Sequence, residues 1–145
     1  MNVRTVHASA VLVGARAVLI RGPAGSGKSH LAWSLLQAAA PAFARLVCDD
    51  RAYIEAAHGR LVVRPPTRLA GLLEVRGLGI RHLPFEPLAV AGWVVDLAVE
   101  GAARLPPPGA GITLEGVTLP HLVLRPCADA APVVLAAIRT EPALT

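Results

Sequence analysis

Apolar residues recur along this chain in short runs rich in β-branched side chains, and one longer stretch keeps a helical period. The runs Val11-Leu-Val and Ala17-Val-Leu-Ile, separated by Gly14-Ala-Arg, predict the two strands of a hairpin. From Ser29 the apolar positions 31, 35 and 38 fall on one face of a helix that must end before Pro41. Leu46-Val-Cys-Asp-Asp predicts a buried strand with two carboxylates at its C-terminal end. Ala52-Tyr-Ile-Glu and Arg60-Leu-Val-Val-Arg predict a second hairpin turning at His58-Gly59, stopped by Pro65-Pro66.

Further on, Thr67 to Val75 is expected as a short helix or turn running into a bend at Arg76-Gly-Leu-Gly-Ile, where two glycines give the backbone freedom. Gly92 to Val99 and Val117 to Arg125 predict strands, and Arg104 to Gly111 a Pro/Gly loop. Ala130 to Arg139 predicts a closing helix with Pro132 in its first turn. Strands alternating with helices point to an α/β fold with a mixed sheet and flanking helices.

Composition narrows this picture. The 145 residues, more than half of them hydrophobic, suit a single domain spanning 1–145 with one core. Cys48 and Cys127 have neither disulfide-framework nor zinc-ligand spacing, which points to a reduced, cytoplasmic setting. No apolar run reaches the roughly 18 residues of a membrane span, so no membrane association is expected. The net charge of +4 comes from arginines scattered with little aromatic interleaving, so no nucleic-acid partner is expected either.

Chemistry concentrates at residues 22–29, GPAGSGKS, a complete phosphate-binding loop set between a strand pattern and a helix pattern. In such a loop, formed here by Gly22, Pro23, Ala24, Gly25, Ser26 and Gly27, the glycines let successive backbone N–H groups, which every residue but Pro23 carries, turn toward phosphate oxygens, and the following helix presents its positive end to the same anion. Lys28, the only lysine of the chain, would reach the outer phosphates of ATP from a solvent-accessible position, and Ser29 would ligate Mg2+. Phosphoryl transfer also needs a carboxylate, and Asp49-Asp50 close the next strand. One of the pair is expected to meet the nucleotide while its neighbour pairs elsewhere. Glu74 and Arg76 flank a bend and suit a second metal-side carboxylate and a phosphate-side guanidinium. His58, His82 and His121 have no ligand spacing and read as turn or surface residues.

Three segments together, GPAGSGKS at 22–29, LVCDDR at 46–51 and LLEVRGLGI at 72–80, resemble the HPr kinase/phosphorylase catalytic domain family. The last segment is the most specific to it. The resemblance extends to His7, fifteen residues before Gly22, and to Arg104 in the later loop. It implies an HPr kinase/phosphoenolpyruvate carboxykinase-like P-loop fold and ATP-dependent phosphorylation of a serine of the phosphocarrier protein HPr. It also implies Asp49 as general base with His7 assisting, Ser29 and Glu74 at Mg2+, and Lys28, Arg76 and Arg104 at the transferred phosphate. Relatives form hexamers, so a homo-oligomer is expected.

The chain departs from the family in several places. It is expected to be a short form without the family's N-terminal domain, and His30 stands where an acidic residue usually follows the loop. The segment from Ile80 to Trp93 is shorter, and the late motif tied to dephosphorylation survives only as Leu124-Arg-Pro-Cys-Ala-Asp. Kinase activity is therefore expected to outweigh phosphorolysis. The competing reading is an ATP-binding regulatory module that signals without phosphoryl transfer.

Overall fold

A computed structural model describes residues 4–39, 42–98, 111–127, 129–141 and 143. In chain order its strands are β1 (Arg4–Val6), β2 (Ala8–Val13) and β3 (Arg16–Arg21), followed by helix α1 (Lys28–Ala38) and β4 (Ala44–Cys48). Then come β5 (Ala52–Ala57), β6 (Arg60–Arg64), β7 (Leu72–Val75), β8 (Gly79–His82), β9 (Ala89–Leu97), β10 (Gly111–Leu114), β11 (Val117–Leu124) and α2 (Ala130–Arg139). The mixed sheet runs β1-β5-β6-β9-β3-β2-β4, and β11 joins it through β9 with β10 beside it.

β9 is parallel to β3 on one side, while β6 meets its first residues and β11 its last. That arrangement brings the C-terminal ends of β3, β4, β9 and β11 to the same end of the sheet, the end where an open α/β sheet offers a ligand crevice. One sheet face packs on the two helices through Val18, Ile20, Leu31, Leu35, Leu46, Val95, Val134 and Leu135. The opposite face curls over a second cluster that includes Leu19, Val47, Ile54, Leu61, Val63 and Val94. Along α1 the buried stripe comprises Leu31, Ala32 and Leu35, and Ala39 just beyond the helix is buried too. Ala38 falls on the solvent edge of that stripe, which is centred nearer Leu35 than expected.

β4 carries one irregularity that matters for the site. Val11 pairs with Leu46 but Ala10 pairs with Cys48, so Val47 is an extra residue. Val47 and Cys48 consequently face the same core cluster, although consecutive strand residues ordinarily alternate.

Several segments differ from expectation, among them β1, which was not foreseen. The short helix or turn expected over Thr67 to Val75 is a 3-10 helix at Thr67–Leu69 only, and residues 72–82 form the β7–β8 hairpin. Leu73 is buried and Val75 packs partly against the same cluster while Glu74 is exposed, a period of two, and Gly77 and Gly79, with φ of 89° and 90°, make the expected bend the turn of the hairpin. β10 was not foreseen; it pairs with β11 across a two-residue turn in which Glu115 and Gly116 both have positive φ. The strand expected to reach Val99 ends at Leu97, and the expected loop 104–111 lies outside the described residues up to Gly111.

Candidate active site

The phosphate loop leaves β3 at Arg21 and enters α1 at Lys28. Its shape depends on glycine at three points. Gly25 and Gly27 have φ of 79° and 98°, a left-handed backbone that side chains resist. A Cβ on Gly22 would lie 2.5 Å from Ser26 Oγ and 2.9 Å from the Leu97 carbonyl, so the loop starts hard against the end of β9. Gly27 caps α1 without any side-chain hydrogen bond, which leaves the first-turn N–H groups directed at the cleft. Ser26 Oγ is buried with no hydrogen-bond partner among the described residues.

Lys28, expected at the solvent face, is only 7% exposed. Its ammonium donates to the Gly22 carbonyl at 2.8 Å and the Pro23 carbonyl at 3.2 Å, because a buried cation needs acceptors and the loop's own backbone supplies them.

Asp49 is the hub of the opposite wall. It is buried, and Oδ1 accepts a hydrogen bond from Ser9 Oγ at 2.6 Å. Ser29 Oγ donates across both oxygens, at 2.8 and 2.9 Å, and the Glu74 N–H donates to Oδ2 at 3.3 Å. Ser9 in turn accepts from the Asp50 N–H at 3.2 Å. Three elements, β2, α1 and β7, are thus tied to one carboxylate. Asp50 leaves the strand with φ of 68° and is exposed at the cleft rim. Cys48, just before the pair, is pushed up to about 12 by burial and by the neighbouring Asp49 charge, so it remains a protonated thiol at neutral pH.

A cleft of about 880 Å³ runs from the loop across to the β7–β8 hairpin. Gly25, Gly27, Lys28, Ser29, Asp49, Asp50, Glu74 and Arg76 all line it, together with His30 and Trp33 from α1. His7 does not; it is exposed at the bend before β2, linked to the pair only through the Ala8 N–H on the Asp50 carbonyl at 3.2 Å. The place beside Asp49 expected for His7 belongs to Ser9, two residues later. Arg104 lies outside the described residues. Pro126 packs 3.7 Å from where a Gly27 side chain would start, which brings the late Arg125-Pro126-Cys127 segment to the loop.

Another polar group was missed altogether. Asp96, near the end of β9, accepts two bonds from Arg21, both at 2.8 Å, and one contact from His121 Nε2 at 2.7 Å. Burial pushes the Asp96 carboxyl up, but Arg21 and His121 outweigh it and hold it below the ordinary aspartate range. His121 is therefore a partner in a charged cluster rather than a free surface residue.

A family model described as HPr Serine kinase C-terminal domain matches residues 1–84, a span that contains the loop, the Asp49 hub and the β7–β8 hairpin. The chain belongs to this family. Among curated proteins it is similar to the HPr kinase/phosphorylase of Clostridium beijerinckii, 41% identical over 75 residues, which cover 52% of this chain and 24% of that protein. The HPr kinase/phosphorylase of Clostridium tetani is 42% identical over 67 residues, 46% of this chain and 21% of that one. The matched part thus spans about a quarter of those relatives. The fold of the chain is also that of the HPr(Ser) kinase/phosphatase of Coxiella burnetii, with a TM-score of 0.78, 21% identity and 94% of each chain covered. Among the described residues no helix is long and apolar enough to cross a membrane.

Proposed function

We propose that this HPr serine kinase domain transfers the γ-phosphoryl group of ATP, with Mg2+, to a serine hydroxyl of the phosphocarrier protein HPr, and that the reverse phosphorolysis is weak or absent. The observation that carries the reading is the convergence of Lys28, Ser29, Asp49, Glu74 and Arg76 on one cleft. The uncapped N-terminus of α1 suits an anion with several oxygens. Among the described residues no three His, Cys, Asp or Glu side chains gather as a self-sufficient metal site. The oxygen donors Ser29 and Glu74 suit a hard cation shared with phosphate oxygens. When bound, Mg2+ supplies charge neutralisation at the β- and γ-phosphates.

In the proposed reaction the acceptor serine oxygen bonds to the γ-phosphorus as the bond to the β–γ bridging oxygen breaks, releasing ADP. Asp49 takes the serine proton, and its hydrogen bonds to Ser9 and to the Glu74 N–H keep the carboxylate fixed in orientation. Lys28 exchanges its two loop carbonyls for phosphate oxygens, and Arg76 stabilises the charge that develops on the transferred group. His7 and Arg104 are proposed only as assisting residues, by family likeness. Oligomer formation, up to the hexamer of relatives, is proposed on the same footing.

The weak reverse reaction is argued from the late motif. Cys127 and Ala128 replace residues that in the family pattern are a glycine and an arginine, so fewer cations hold inorganic phosphate. Incubation with HPr, Mg2+ and ATP, with mass-spectrometric mapping of the modified residue, tests the forward reaction. ATP binding without HPr labelling would favour a regulatory module instead. Phosphoserine-HPr with millimolar phosphate tests the reverse, and a dephosphorylation rate equal to the forward rate refutes the directional claim.

A further inference from the structure

The ends of β3, β9 and β11 meet directly beneath the phosphate loop, and each end touches it. Arg21 is the residue before Gly22, and Gly22 has no room for a Cβ against the Leu97 carbonyl. Beyond β11, Pro126 lies against Gly27 at the other end of the loop. The loop is therefore bracketed at its first and last glycines by the tails of β9 and β11. Its shape then depends on how those tails sit relative to β3.

The backbone ladder holds β11 to β9 as far as Leu124↔Leu97 and by one bond beyond, Ala98 N–H to the Leu124 carbonyl at 3.0 Å, while the β3–β9 register ends at Arg21↔Asp96. Side chains complete it at the same level. Arg21 forks onto both oxygens of Asp96, and His121, from the strand on the far side of β9, reaches the same carboxylate. The three side chains are 29%, 25% and 17% exposed, enclosed more than an ordinary surface ion pair and held in a two-point geometry that resists sliding.

We infer that Arg21, Asp96 and His121 form a positioning clamp that sets the phosphate loop for nucleotide binding by locking the three strand ends against one another. None of the three lines the cleft, so they act through Gly22 and Gly27 and touch no substrate. The inference rests on the loop binding nucleotide and is independent of which acceptor the enzyme serves.

The test is calorimetric titration of MgATP into the wild-type chain and Asp96→Asn, with melting curves in parallel. A misplacement of the loop by a fraction of an ångström to an ångström is expected to weaken MgATP binding about tenfold or more in a chain that is still folded at the assay temperature. In a steady-state assay the KM for ATP should rise by a larger factor than kcat falls. Arg21→Lys keeps the charge but loses the fork and should show an intermediate loss. If Asp96→Asn strands Arg21 and the protein does not fold, the Arg21→Gln/Asp96→Asn pair, whose neutral amides keep a hydrogen bond, provides the same readout. Wild-type affinity in a folded Asp96→Asn or double variant overturns the clamp, as does weakening that merely follows the fraction of unfolded protein. A wild-type chain that binds MgATP without labelling HPr defeats the proposed acceptor and leaves the clamp standing. One that fails to bind MgATP overturns both.

Discussion

Replacing Asp49 by asparagine keeps its shape and removes its charge, and the structure separates the two consequences. In the folded protein the carboxylate accepts hydrogen bonds from Ser9, Ser29 and the Glu74 N–H. A hydrogen bond to a charged group contributes roughly 1.5–3 kcal/mol and a neutral one about 0.5–1.5 kcal/mol. The asparagine oxygen retains one or two of the donors, and the serine hydroxyls rotate to accept from the new NH2. The net loss is therefore on the order of 1–3 kcal/mol, equivalent to a fall in Tm of about 3–10 °C for a chain of this size. Turnover depends on the proton acceptor itself and should fall by about two to four orders of magnitude. MgATP affinity should change far less than turnover, since the loop backbone and Lys28 are untouched. Differential scanning calorimetry, MgATP titration and HPr labelling measure the three quantities. Retained turnover in a protein whose Tm has fallen would leave Asp49 as a structural hub only, and equal losses in affinity and turnover would refute the separation of roles.

Lys28→Ala should remain folded, because its ammonium bonds only to the Gly22 and Pro23 carbonyls of the loop and not to the apolar core, yet lose phosphoryl transfer by several kcal/mol of transition-state stabilisation; full labelling of HPr by this variant would contradict the phosphate role, as circular dichroism and the labelling assay together report. Glu74→Gln should raise the Mg2+ concentration needed for half-maximal activity, since a carboxamide is a poorer ligand for a hard cation; an unchanged Mg2+ titration removes Glu74 from the metal side. Asp96 has its folded pKa depressed, so its stabilising contribution is complete above the ordinary aspartate value and lost as pH falls through the lower folded one. Acid unfolding followed below about pH 4 should therefore be shallower in Asp96→Asn, and superimposable acid limbs would count against the depressed value. Finally, a maleimide at pH 8 should label the exposed Cys127 alone in the native protein and Cys48 only after denaturation, because the Cys48 thiol is buried and titrates near 12; labelling of both thiols in native protein would show that β4 opens.

The parts of the site that were legible in the amino-acid sequence are those whose physics is local. A phosphate loop needs its glycines, lysine and hydroxyl within eight residues, so Gly22 to Ser29 could be read directly and placed between a strand and a helix. The acidic pair and Glu74 followed from their positions at a strand end and beside a glycine turn. Ser9 was not legible, since it is a single hydroxyl between two alanines and becomes a partner of Asp49, 40 residues away, only through the pairing of β2 with β4. The Arg21–Asp96–His121 cluster was hidden for the same reason: its contacts span 75 and 25 residues and depend on β9 lying between β3 and β11. Glycines at 77 and 79 announced a bend, but the alternation of Leu73 and Val75 with exposed Glu74, which marks a hairpin, was too short to outweigh the reading as a short helix or turn. Ile112 and Leu114 alternating with polar residues before Glu115-Gly116 were the available signal for β10.

The extra residue in β4 decides which of two adjacent acids faces the helices. Strand residues alternate sides, and an unbroken β4 with Val47 turned toward the curled-sheet core would place Cys48 on the helix side and Asp49 away from it. The bulge spends one residue, so Cys48 stays with Val47 and Asp49 comes round to meet Ser29 at the start of α1. Loss of a single residue before Cys48 would advance the chain by one step and bring Asp50 into that place. The doubled aspartate therefore acts as a one-sided parity margin: deletion of one residue in this strand still delivers a carboxylate to the phosphate loop, whereas insertion of one would bring Cys48 there.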